Sequence, residues 1–206
     1  MEVLNKEQVD LVQKGISAGM EYQEYRSLVH FLAENHQTTG AVQSESNINY
    51  TQLNDRRMAR WDKTFKIASE IQERIEGIHS RLMFLVLAES WCGDASPSLP
   101  VMNKIAELNP NIGLKIVLRD ENLELMDAFL TQGTRSIPKL IVFDEESGEI
   151  VGEWGPRPST ATVLVEDYKQ KYGKLTPEFK KDLQVWYNAD KGQNILGDVL
   201  ELLPLE

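Results

Sequence analysis

The sequence predicts an α/β fold, a mixed central sheet flanked by helices, with further helical segments at both ends. Three observations carry this prediction. The unbroken apolar run Leu82-Met83-Phe84-Leu85-Val86-Leu87-Ala88 has strand length and the character of a strand covered on both faces. Strand and helix patterns alternate after it and finish in a hairpin, the layout of a mixed sheet. On either side of that stretch, apolar residues recur at three- and four-residue steps, as one-sided helices require.

Taken in order, Val9, Leu11, Val12 and Ile16 trace one helix, and Tyr22, Tyr25, Leu28, Val29 and Leu32 a second, with Gly15 and Gly19 loosening the join. Residues 40–49 are polar and aperiodic and read as a loop. A third helical pattern runs from Leu53 through Met58, Trp61, Phe65, Ile71 and Ile75 to Ile78, with Gly77 near its end, where glycine tolerates a left-handed exit. Tyr22, Tyr25, Phe31, Trp61 and Phe65 read as core for these helices. After the first strand, residues 96–108 are helical, with Pro97 where its missing N–H is harmless. Residues 114–118 form a second strand, 121–130 a short helix and 138–143 a third strand. Residues 145–148 then turn into 149–154, a hairpin. From 159 to 203 the pattern is helical, broken at Gly173, Pro177 and Gly192. The expected organisation is a helical extension over 1–79, a sheet domain over 80–173, and a C-terminal helical extension over 174–206 packed on it.

Composition narrows the function. The formal net charge of −10 argues against nucleic-acid and anionic-membrane surfaces, which need clustered positive charge. No apolar stretch approaches the roughly 20 residues of a membrane span. The N-terminus begins Met1-Glu2-Val3-Leu4-Asn5-Lys6, unlike a signal peptide. One cysteine in 206 residues rules out an intrachain disulfide framework and fits a reducing compartment, so a cytoplasmic location is expected. His30, His36 and His79 lack companion ligands at metal spacing; neither a metal nor another cofactor is expected.

The chemistry points to the end of the first strand. Glu89-Ser90-Trp91-Cys92-Gly93-Asp94-Ala95 leads directly into a helix. Cys92 therefore stands at a helix N-terminus, outside the carboxyl end of a central strand, where open α/β sheets bind ligands. Free N–H groups and the helix dipole favour a thiolate there, and a cysteine so placed can titrate well below the usual value of roughly 8.5. The Asp94 carboxylate opposes this effect and also reads as a simple first-turn helix acid. Arg119, at the end of the second strand, and Arg135, before Ser136-Ile137-Pro138, are candidates to steady a thiolate or grip a substrate carboxylate. Each also reads as a surface arginine paired with Asp120 or Glu121. Gly155-Pro156-Arg157-Pro158 reads as a stiff structural loop.

The stretch Trp91-Cys92-Gly93-Asp94-Ala95 resembles the Trp-Cys-Gly-Pro-Cys motif of the thioredoxin superfamily at its first three positions. About 45 residues downstream, Ser136-Ile137-Pro138 before an apolar strand resembles that superfamily's cis-proline loop, and Gly148 and Gly152 fall where its members carry turn glycines. The resemblance spans residues 80–170 and is nearest to bacterial thioredoxin-like proteins with long helical N-terminal extensions, similar around Trp-Cys-Gly-Asp and Arg-Ser-Ile-Pro. It implies a thioredoxin-like fold, a cis peptide bond at Pro138 facing Cys92, backbone pairing of a bound peptide by Ile137, and Trp91 as one wall of the site.

Ala95 departs from the motif. A dithiol enzyme needs a second cysteine there to release its substrate, and the chain has none, so two-thiol disulfide reduction is excluded. The expectation is a one-thiol thiol–disulfide oxidoreductase in cell redox homeostasis, with Cys92 as nucleophile. Its partner would be a protein or small-molecule thiol or disulfide, glutathione among them. The alternative is a peptide- or protein-binding module that has lost turnover, with Cys92 as inert packing. A one-cysteine peroxidase would want threonine or serine three residues before the cysteine, where Glu89 stands.

Overall fold

The computed structural model describes residues 2–205. Its elements run α1 (Glu2–Ala18), α2 (Tyr22–Glu34), α3 (Glu45–Thr64), α4 (Ser69–Glu76), β1 (Leu82–Ala88), α5 (Ala95–Leu108), β2 (Ile112–Leu118), a 3₁₀ turn (Arg119–Glu121), α6 (Leu123–Ala128), β3 (Lys139–Asp144), β4 (Glu149–Trp154), α7 (Ser159–Tyr172), α8 (Pro177–Asp190) and α9 (Gln193–Leu200). Among the described residues the strands form one sheet in the order β2-β1-β3-β4. β1 runs parallel to β2, from Leu82 opposite Ile112 to Ala88 opposite Leu118, and antiparallel to β3. β3 and β4 form the hairpin, with an irregularity between Val142 and Phe143.

Burial follows the apolar pattern. Phe84, Leu85, Val86 and Leu87 are inaccessible in the centre of the sheet, each large side chain stabilising the fold by about 1.5–3 kcal/mol. α1 lies against β1, β2 and α6, while α3, α4 and α9 pack on α5. The N-terminal segment also pairs with one residue of a sheet edge. Met20 N–H donates to Ile116 C=O at 2.8 Å and Ile116 N–H to Met20 C=O at 2.9 Å, which occupies edge groups of β2 that would otherwise face solvent. None of the described helices is long and apolar enough to cross a membrane.

Several local expectations change. α3 begins at Glu45, inside the stretch read as loop, because Ser44 Oγ accepts the Asn47 N–H at 3.2 Å and caps the helix. The pattern from Leu53 to Ile78 is two helices, parted where Phe65 turns extended, and Phe65 and Ile67 are buried between them. Gly77 ends α4 in right-handed geometry, at φ −74°. The segment 121–130 splits into the 3₁₀ turn and α6. Phe31, expected in the core, is 59% exposed.

Asn109 ties α4 to the sheet. Its Nδ2 donates to Ile75 C=O at 2.7 Å and Ile78 C=O at 2.9 Å, and its Oδ1 accepts the Asn111 N–H at 2.8 Å. The side chain is buried, so truncation strands several buried polar groups. Asn109→Ala is expected to lower unfolding stability in urea by about 2–3 kcal/mol. A loss below about 0.5 kcal/mol, the range of a neutral surface change, would contradict this account.

Candidate functional site

Two parts of the chain meet at the carboxyl end of β1. Cys92 lies in the turn before α5, and its thiol donates to Ile137 C=O at 3.2 Å. The Ile137–Pro138 peptide bond is cis. Gly155, at φ +121°, backs this loop; a Cβ there would collide with the Pro138 carbonyl oxygen, so the close approach requires glycine. Cys92 and Ile137 are each 7% exposed, while Trp91 is half-buried.

The turn is held from the N-terminal side by a cluster of hydroxyls and an amide. Ser90 Oγ lies 2.8 Å from Thr51 Oγ1 and 3.1 Å from Thr39 Oγ1, and accepts the Thr39 N–H at 3.0 Å. Ser90 N–H donates to Thr39 Oγ1 at 2.9 Å, and Asn54 Nδ2 donates to Ser90 C=O at 2.9 Å. All four residues are buried. Their spacing on α3 explains the arrangement: Thr51, Asn54, Met58 and Trp61 form the buried stripe, leaving Tyr50, Leu53 and Arg57 on the next stripe, toward Cys92.

Asp94 is held from the C-terminal side. It is not a solvated helix acid: it is buried and makes no side-chain cap. Its Oδ2 pairs with Arg157 Nη2 at 2.7 Å, and its Oδ1 accepts the Tyr187 hydroxyl at 3.1 Å. Arg157 follows a second cis bond, Gly155–Pro156, so the loop read as structural delivers a site cation. Burial raises the Asp94 pKa, with Arg157 opposing.

These surroundings decide between the opposing influences of the helix start and Asp94 on the thiol. Burial, and then the Asp94 charge, push Cys92 up to about 12, against the backbone N–H groups of Ala95 and Asp94 and the Arg157 guanidinium. The cation that assists a thiolate is therefore Arg157, not Arg119 or Arg135. Arg119 sits over the Trp91 ring, 4.9 Å from its centroid, and pairs with Asp120 at 2.7 Å. Arg135 makes a two-pronged pair with Asp127 at 2.6 and 2.7 Å. Both line the cleft without a hydrogen bond to Cys92 among the described residues. Glu89 lies outside the cleft lining; its Oε1 accepts the Asp120 N–H at 2.9 Å, its Oε2 is buried without a partner, and burial raises its pKa.

A cleft of about 770 Å³ opens over Cys92. Trp91, Arg119, Arg135 and Ile137 line it, whereas Pro138, read as part of the substrate platform, is buried behind Ile137 and does not. α3 forms one wall through Tyr50, Leu53 and Arg57, and α8 another through Lys180, Lys181 and Gln184, so helices before and after the sheet line the cleft. Arg57, Arg157 and Tyr187 were not singled out in the sequence. The stripe of Tyr50, Leu53 and Arg57 beside an apolar helix face was the available signal for Arg57 alone. Among the described residues no group of three or more His, Cys, Asp or Glu side chains is gathered to hold a metal.

The Asp94 charge raises the thiol pKa, so its removal should lower it. Asp94→Asn is expected to speed iodoacetamide labelling of Cys92 at pH 8, with about tenfold more thiolate for each unit of fall. Unchanged or slower labelling in a variant that retains its circular dichroism would overturn this assignment.

Comparison with known proteins agrees with the fold. No curated protein sequence matches the chain. A protein of unknown function from Pseudomonas aeruginosa, known from a 1.5 Å crystal structure, is 20% identical with a TM-score of 0.62, covering 91% of this chain and 93% of that one. An HIV epitope-scaffold protein is 19% identical with a TM-score of 0.61, covering 92% and 95%. Both likenesses establish a shared fold. A family model described as Thioredoxin matches residues 40–169, more than half of the chain and including α3 as well as the sheet; this protein belongs to the thioredoxin family.

Proposed function

We propose that the protein carries out one-thiol thiol–disulfide exchange at Cys92, with Ile137 as the substrate platform, held by the cis bond to the buried Pro138, and Trp91 beside it. The observation that carries this reading is the thiol lining the cleft, 3.2 Å from Ile137 C=O. The Cys92 Sγ–H loses its proton to solvent, and the sulfur attacks one sulfur of a disulfide R–S–S–R. A Cys92–S–S–R bond forms as the R–S–S–R bond breaks, and the departing R–S⁻ takes up a proton. A second thiol later attacks the mixed disulfide and restores Cys92–SH. Ala95 contributes no resolving thiol, so that second thiol comes from outside, as a reducing, cytoplasmic compartment would supply.

The high thiol pKa shapes the kinetics in two ways. Little thiolate exists at neutral pH, so the first step is slow and accelerates with rising pH. Cys92 is then a poor leaving group, so attack that expels it is slow and the mixed disulfide persists. The same burial favours a second reading, a binding module in which Cys92 is inert.

Incubation with glutathione disulfide at pH 8, followed by intact mass, separates the two readings. Exchange predicts a mass gain of one glutathionyl group, absent in Cys92→Ser and reversed by dithiothreitol. No adduct up to pH 9, when the urea-unfolded chain reacts fully, would remove the exchange reading and leave the binding module.

A further inference from the structure

The charge lining the cleft is opposite to that of the chain. Of the charged side chains around it, seven are Lys or Arg and one, Asp94, is acidic, in a sequence with 22 basic and 32 acidic residues. Three of the cations are already paired: Arg119 with Asp120, Arg135 with Asp127 and Arg157 with Asp94. Arg57, Lys169, Lys180 and Lys181 have no ion-pair partner among the described residues. The lysines are exposed, but Arg57 is half-buried, and burial disfavours its charge. Its recorded polar contact is Nη1 donating to Asn54 Oδ1 at 3.2 Å, which leaves most of its donors free.

Arg57 is also aimed at the thiol's neighbour. A Cβ on Gly93 would stand 3.9 Å from Arg57 Nη1 and 4.0 Å from Gln184 Nε2. The missing side chain leaves a slot one residue from Cys92, with a guanidinium and an amide at its sides. A carboxylate in that slot accepts from both. The cleft volume falls in the range of roughly 300–1,000 Å³ typical of small-molecule sites. The walls made by α3 and α8, with Cys92 nearly enclosed, suit a small ligand better than a folded protein surface.

We infer that the cleft selects low-molecular-mass thiols and disulfides carrying two or more carboxylates, one of them in the Arg57–Gln184 slot and another toward Lys180 and Lys181. This rests on Cys92 exchange as proposed above and names its substrate class. Arg57 acts as a binding residue, and its field also raises the local concentration of anionic ligand at low salt.

The test compares exchange of the full chain with glutathione disulfide, a multiply carboxylated probe, and with cystamine, a cationic one, each rate normalised to that of the urea-unfolded chain. At low salt the anionic probe is expected to react at least about tenfold faster, a difference of about 1.4 kcal/mol, with the advantage shrinking as salt rises. Arg57→Gln and the pair Lys180→Gln with Lys181→Gln should each reduce the ratio, and the lysine pair serves if Arg57→Gln fails to fold. Equal rates, or faster cystamine, would overturn the inference while leaving exchange intact. Faster reaction of an acidic-peptide disulfide than of glutathione disulfide would overturn the small-ligand assignment. Calorimetric titration of Cys92→Ser with glutathione disulfide reports the cleft independently of the thiol. Binding there, weakened by Arg57→Gln, with no adduct on the wild type, would uphold the anion site and remove the exchange reading.

Discussion

The buried carboxylate of Asp94 is the constraint on which the site depends. It follows directly on Cys92 and Gly93, and a charge so enclosed needs partners. The fold supplies them from two distant places, the Arg157 loop after the hairpin and Tyr187 on α8. The requirement to satisfy one side chain thus draws the hairpin exit and a C-terminal helix to the mouth of the cysteine turn. The same charge then disfavours ionisation of the adjacent sulfur. Structural cohesion and thiol chemistry are set against each other at this residue.

Ser90 plays the corresponding part on the other flank. Its hydroxyl and both backbone groups engage Thr39, Thr51 and Asn54, so the loop before α3 and α3 itself are fixed to the turn that carries Cys92. Once α3 is locked by its small polar residues, its next stripe faces the cleft, and Arg57 arrives beside Gly93. Neither flank is peripheral to the chemistry. One sets the acidity of the thiol, and the other sets the charge that an incoming molecule meets.

Much of the fold was legible because its signals are local. An unbroken apolar strand, Pro97 at a helix start and a turn closing at Gly148 each declare themselves within a few residues. The juxtaposition of Cys92 with Ile137 was legible in the same way, because the motif and the Ile-Pro pair carry the resemblance. What was not legible depends on contacts across long separations. Asp94 looked like a helix acid because Arg157, more than sixty residues away, is invisible to a local reading; its opposition to a thiolate was legible, but the burial that pushes the thiol pKa up was not. Arg119 and Arg135 lie at the rim, but Asp120 and Asp127 already claim their charges. The start of α3 was missed because a single Ser44 cap outweighs a polar, aperiodic stretch.

The two-bond bridge between Met20 and Ile116 has a consequence for how the molecule is divided. It pairs Ile116 on the outer edge of β2 with a single residue from the join of α1 and α2. A shortened chain beginning at β1 would bare the amide and carbonyl of Ile116, losing that protection against adhesive pairing with other chains. It would also lose the α3 wall of the cleft. The helices that come first in the chain are thus a shield for the sheet as well as a lip for the cavity, and the smallest self-sufficient unit is larger than the motif that identifies it.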